Sequence, residues 1–245
     1  MESTIRDYDS LLTLYIDLIR KREDVIYKKQ PYLESKYVLL FSELMQEELV
    51  LTINIKKLKR KIQVYLSDLK TNVDFENEKT INREISILKE QVIYLDELVR
   101  ISEINMNIES LNIEEKENLK ILFKNLIRIL HPDLVTKSSE NKRKLWEKAR
   151  DAYNTNNIQI IRILSDTLAM KENKGIREYN QEDLEQKITE ISNEIKEAKL
   201  GFPFNIEKDM EDMNWIEESR EEIRERIDKL KDDEKKLINF MSGLS

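Results

Sequence analysis

The 245-residue sequence contains no cysteine, one histidine, three glycines and three prolines. Without thiols there is no disulfide and no thiolate metal site, and a reducing compartment is compatible with that usage. A single imidazole leaves no second one to complete a histidine metal site, and no Ser or Cys arrangement beside it reads as a triad. The few glycines form no loop able to cradle a phosphate. No apolar run approaches the roughly 20 residues needed to cross a bilayer. Met1 is followed by Glu2, Arg6, Asp7 and Asp9 rather than by an apolar leader. These absences predict a soluble cytoplasmic protein that is not an enzyme and uses no metal, cofactor or membrane.

Charged residues make up 37% of the chain and apolar residues 40%. A mixture rich in Leu, Ile, Glu and Lys favours long helices and is too apolar for a disordered chain, so the expected fold class is all-α. The net charge of −7 is unevenly spread. Residues 1–112 sum to −3, residues 113–170 to +3 and residues 171–245 to −7. That balance argues against nucleic acid as a partner and for an acidic surface meeting the middle of the chain.

Apolar spacing divides the chain into three parts. In residues 1–104, Ile5, Tyr8, Leu12, Tyr15, Ile19 and Ile26 mark a helix over 5–28, which Gln30-Pro31 is expected to break. Helices over 32–70 and 76–103 follow, separated at Asn72-Val-Asp-Phe-Glu-Asn, and short connections predict a helical bundle or long antiparallel hairpin. Residues 171–245 repeat the theme. Leu184, Ile188, Ile191 and Ile195 mark one helix, Gly201-Phe-Pro-Phe a turn, and Ile216, Ile223, Ile227, Leu230 and Leu237 a second helix. Stripes at this spacing ordinarily face a helical core.

The central part, 105–170, carries the most specific pattern. Leu119, Phe123, Leu126, Ile127 and Leu130 fall on one helical face, while Lys116, Lys120, Lys124 and Arg128 recur every four residues on another. Like charges at that spacing repel mildly, so a carboxylate-bearing partner would relieve them, although solvated basic stripes are also common. Pro132 ends the helix, having no amide donor and restricting His131. Asp133 is expected to point outward from the loop. Ser138 or Ser139 can cap a second helix bearing Leu145, Trp146, Ala149, Ala152 and Tyr153, which Asn154-Thr-Asn-Asn ends. A short helix over Ile158 to Ala169 follows.

Residues 117–155 resemble the J-domain of DnaJ-type co-chaperones. A basic helix bearing Phe123 and Leu126 leads into His131-Pro132-Asp133, and Trp146, Ala149, Ala152 and Tyr153 keep the spacing of the helix that follows. Average residue usage gives such a tripeptide by chance on the order of once in a hundred chains of this length. The resemblance covers about a sixth of the chain. The family's first helix is not recognisable in Ile104–Asn112, and Leu134 stands where a basic residue is usual. The Gly/Phe-rich linker and the zinc module are absent from the sequence.

The resemblance implies a co-chaperone that docks on a DnaK-type chaperone and stimulates its ATP hydrolysis. Asp133 would bond an arginine of the partner, Pro132 would fix the loop, and His131 would orient it. Lys120, Lys124 and Arg128 would steer the encounter. The flanking arms would bind a client or scaffold partner, or self-associate. The alternative is a helical scaffold or adaptor with a degenerate J-like module, in which Phe202-Pro203-Phe204 is either a contact or a buried hinge.

Overall fold

The computed structural model describes residues 7–68, 75–108, 110–135, 139–169 and 179–243. Among them the chain is all-α, as its composition predicts. Eight helices follow in order: α1 (Tyr8–Glu23), α2 (Gln30–Asp68), α3 (Phe75–Met106), α4 (Ile113–Leu130), α5 (Glu140–Asn154), α6 (Ile158–Ala169), α7 (Gln181–Ala198) and α8 (Met213–Ser242). The expected break at Asn72-Val-Asp and the candidate cap Ser138 lie outside the described residues.

Gln30-Pro31 does not end the first helix. A π-helical stretch, Asp24–Lys29, joins α1 to α2, and the Gln30 amide donates to the Val25 carbonyl five residues back. Proline within an α-helix loses a hydrogen bond and strikes the carbonyl one turn earlier; a widened turn there relieves the clash. The helix therefore continues past Pro31 with a local change of winding instead of a stop.

The helices group into two compact units, each assembled from two stretches of chain. One joins Met1–Leu33 to Asn107–Asn205; the other joins Glu34–Met106 to Ile206–Ser245. The sequence reading divides the chain into three successive parts because periodicity follows chain order. Within the first unit, α1 packs beside α4 and α7.

In the first unit, the predicted face of α4 (Leu119, Phe123, Leu126, Ile127 and Leu130) is buried in full. It meets Trp146, Ala149, Ala152 and Tyr153 of α5, also buried. The two alanines take little room and let the helices approach. Phe123 stacks on both aromatics, at 5.5 Å from the Trp146 ring and 3.9 Å from the Tyr153 ring. From α1 come Leu11, Tyr15, Ile16 and Ile19, and α6 and α7 add Ile161, Leu164, Leu184 and Ile191. Each large apolar side chain buried this way contributes about 1.5–3 kcal/mol against leaving it in water.

The second unit has a smaller centre. Phe41, Leu51, Ile223 and Ile227 form its core cluster, bordered by Tyr37, Leu40, Leu44, Met45, Trp215 and Leu230. Phe41 packs against Tyr37 and, edge to face, against Trp215. Polar links surround it: Arg226 to Glu48 and Lys231 to Glu47, each at 2.8 Å, and Lys36 to Glu211 at 2.6 Å.

Candidate partner-docking site at the His-Pro-Asp turn

Helix α4 is defined at both ends by its sequence. Asn112 and Glu115 form a reciprocal capping box: the Asn112 side chain accepts from the Glu115 amide at 2.8 Å, and the Glu115 carboxylate accepts from the Asn112 amide at 3.0 Å. At the other end His131 leaves the helix in an extended conformation, as the residue before a proline must. Ser139 caps α5 by accepting from the Lys142 amide.

The turn between α4 and α5 is held from inside. The Leu134 amide donates to the His131 carbonyl at 3.0 Å. The Asp133 amide donates to His131 Nδ1 at 3.1 Å. The Tyr179 hydroxyl donates to the Asp133 carbonyl. Leu134 is buried and so anchors the underside of the turn with Val135.

His131 is 3% exposed, its ring edge-to-face with Trp146 at 4.8 Å. Both ring nitrogens face donors: the Asp133 amide on Nδ1, and Arg22 Nη2 at 3.3 Å from Nε2. A neutral imidazole can accept on one nitrogen, whereas an imidazolium could accept on neither. Burial pushes the His131 pKa down to about 4; the Asp133 carboxylate works against this and the Arg22 guanidinium adds to it. The ring is therefore neutral at pH 7 and serves as packing and as a turn acceptor.

Pro132 is exposed. Asp133, expected to point outward, has a side chain that is 39% exposed and lies 3.7 Å from Arg22 Nη2. The same guanidinium lies 3.3 Å from Glu194 of α7 and 3.6 Å from the buried Glu23. Burial raises the Glu23 pKa above the ordinary carboxylate value, against the pull of Arg22 and Arg150.

Arg22 owes its position to contacts on either side of it. The hydrophobic face of α1 sits in the core. Beyond α1, the Tyr153 hydroxyl donates to Asp24 Oδ1 at 2.7 Å and Lys28 Nζ to Asn156 Oδ1 at 2.6 Å. These bonds tie the π-helical turn to the end of α5.

The three basic candidates on α4 have different surroundings. Lys124 pairs with Asp17 of α1. Lys120 pairs with Glu117 one turn back, at 2.6 Å and largely exposed. Arg128 borders a cavity of about 320 Å³ with Asp9, Leu12, Thr13, Ile16 and Leu134. The structure thus brings Asp133 and His131 together and sets the basic side chains along the helix leading to them. Sequence reasoning missed Arg22, Glu194 and Tyr179, because no local spacing links residue 22 or 179 to residue 131.

Among the described residues no group of three or more His, Asp and Glu side chains is arranged to hold a metal ion, and no helix is long and apolar enough to cross a membrane. The chain matches no protein-family model, no curated protein and no solved structure.

Proposed function

We propose that the chain is a co-chaperone that docks on a DnaK-type chaperone through the His-Pro-Asp turn and the basic side of α4, and stimulates ATP hydrolysis by that partner. The observation that carries this reading is the division of labour within the turn. His131 is buried and bonded, whereas Pro132 is exposed and the Asp133 carboxylate is half-exposed at the end of a basic helix. A carboxylate held on a rigid turn can accept a guanidinium with little ordering cost. Lys120 and Arg128 lie on the helix leading to it, where they can steer an acidic surface.

In this reading the chain performs no chemistry. It supplies a fixed carboxylate and a cationic approach, and the partner hydrolyses ATP. The test is single-turnover ATP hydrolysis by a cognate DnaK-type chaperone. Wild type should accelerate it, and Asp133→Asn should abolish the acceleration. Higher salt should weaken the effect, because cationic rim contacts are screened. Salt-independent stimulation would remove Lys120, Lys124 and Arg128 from the account.

A second reading, a helical scaffold or adaptor, is favoured by one observation in the second unit. A cavity of about 760 Å³ is bordered by Leu58, Val64, Tyr65, Ile85, Ile238 and Met241, with Lys57 and Lys61 at its edge. An apolar recess of that size suits a partner helix. Stimulation lost with Asp133 would favour docking; binding of a helical partner that ignores Asp133 would favour the scaffold.

A further inference from the structure

The Arg22 guanidinium is next to the carboxylate that the docking reading assigns to a partner. It lies 3.7 Å from Asp133, 3.3 Å from His131 Nε2 and 3.3 Å from Glu194. Its side chain is 20% exposed, so water and an incoming group can reach it. We propose that Arg22 is an internal competitor: it holds the Asp133 carboxylate in the free protein and must yield it when a partner's guanidinium docks. The inference rests on the docking reading of Asp133 and concerns regulation of that same site.

Two features define how the device works. First, α1 itself cannot leave, because Leu11, Tyr15, Ile16 and Ile19 are buried in the core of the first unit. Only the Arg22 side chain moves. Second, the guanidinium has another carboxylate at hand. Glu194 is half-exposed and already receives Arg22 Nη1, so it can keep the charge paired after Asp133 is released. Arg22 is thus shared among Asp133, Glu194 and the buried Glu23, and the share on Asp133 sets the fraction of molecules ready to dock.

The opposite role is also physically available: Arg22 could hold Asp133 in the geometry a partner needs. The two roles differ in sign. A competitor's removal tightens docking, and a positioning residue's removal loosens it.

The experiment measures binding of the full-length chain to the ATP-bound DnaK-type chaperone for wild type, Arg22→Met, Asp133→Asn, the double variant and Glu194→Gln. Methionine keeps an unbranched stem and removes the charge. Arg22→Met should bind roughly two- to fivefold tighter, the fold-change equivalent of one partly exposed ion pair. The double variant should bind as weakly as Asp133→Asn. Glu194→Gln, an exposed change that spares the core, should bind more weakly than wild type because Arg22 then loses its solvent-side alternative and rests on Asp133 and the buried Glu23. Equal or weaker binding by Arg22→Met, or unchanged binding by Glu194→Gln, overturns the competitor while Asp133-dependent docking stands. If no variant's binding depends on Asp133, the docking reading falls and the competitor falls with it.

A partner-free readout checks the contact itself. His131 is the only histidine, so its Cε1 proton gives a single signal in a magnetic-resonance titration. Removing the neighbouring cation should raise its midpoint in Arg22→Met relative to wild type, since Arg22 favours the neutral ring. An unchanged midpoint would mean that Arg22 is not beside the ring in solution, and would overturn the competitor.

Discussion

The two units keep their helices together by different means. The unit around the His-Pro-Asp turn has an extensive core that includes the Trp146–Phe123–Tyr153 stack, and it buries Glu23 and His131. The other has a core cluster at Phe41, Leu51, Ile223 and Ile227, buries Ile53, Ile55, Ile62, Ile85 and Leu95 elsewhere, and adds partly exposed ion pairs such as Glu48–Arg226. Both units leave large apolar side chains more than 60% exposed, Ile113, Ile163 and Leu200 in the first and Ile93, Tyr94 and Met213 in the second. A dense core fixes side chains to within small displacements, which is what a docking carboxylate requires. Exposed apolar faces instead suit a surface completed by a partner.

Each unit carries one of the chain's two tryptophans, Trp146 in the first and Trp215 in the second. Single-tryptophan variants therefore report the two units separately. The largest expected effect is Phe123→Ala, which removes the ring between two aromatics and should cost about 3–5 kcal/mol in the Trp146 transition. Phe41→Ala should act on the Trp215 transition and cost less, because its cluster is small and can collapse around the gap. Equal costs in urea melts would erase the contrast between the cores.

Acid should separate the units next. The His131 pKa lies near 4 in the folded chain and near 6.5 when exposed, so the unfolded chain binds the proton first. The stabilisation is complete above pH 6.5 and is lost as pH falls towards 4, by up to about 3 kcal/mol. Glu23 works in the opposite sense, since burial raises its pKa in the folded state. The Trp146 transition should weaken between pH 6.5 and 5, and replacing His131 by Phe should remove that slope. A slope unchanged by His131→Phe would assign the acid sensitivity elsewhere.

The smallest effect belongs to the surface of the second unit. Arg226→Ala breaks a partly exposed pair with Glu48 and should shift the Trp215 transition by less than about 1 kcal/mol, and by less still in high salt. A cost of several kcal/mol would show that the ion pairs, not Phe41 and its neighbours, hold that unit.

The helices themselves were legible from the sequence. The α4 stripe, the Pro132 stop, the Ser139 cap and the pairing of Ala149 and Ala152 with Trp146 and Tyr153 depend on neighbours within one or two turns. Pro31 was misread because a local rule allows either a break or a widened turn, and only the packing of the flanking helices selects between them. Arg22 beside Asp133 was not legible at all. The contact joins residues 109 or more apart in the chain and depends on α1 packing beside α4, which periodicity does not specify. His131 shows a subtler limit. The sequence placed it correctly in the turn, but its burial against Trp146 makes it a stability residue, so His131→Gln should weaken the first unit as well as the turn. Asp133→Asn is the cleaner probe.

The central claim is that Asp133, held on the rigid turn of the first unit, is the group a DnaK-type chaperone reads. Single-turnover ATP hydrolysis by that chaperone, with wild type and Asp133→Asn compared at equal Trp146 melting behaviour, tests it most directly. The account predicts acceleration by wild type and none by Asp133→Asn. Equal acceleration by both, or by neither, would contradict it.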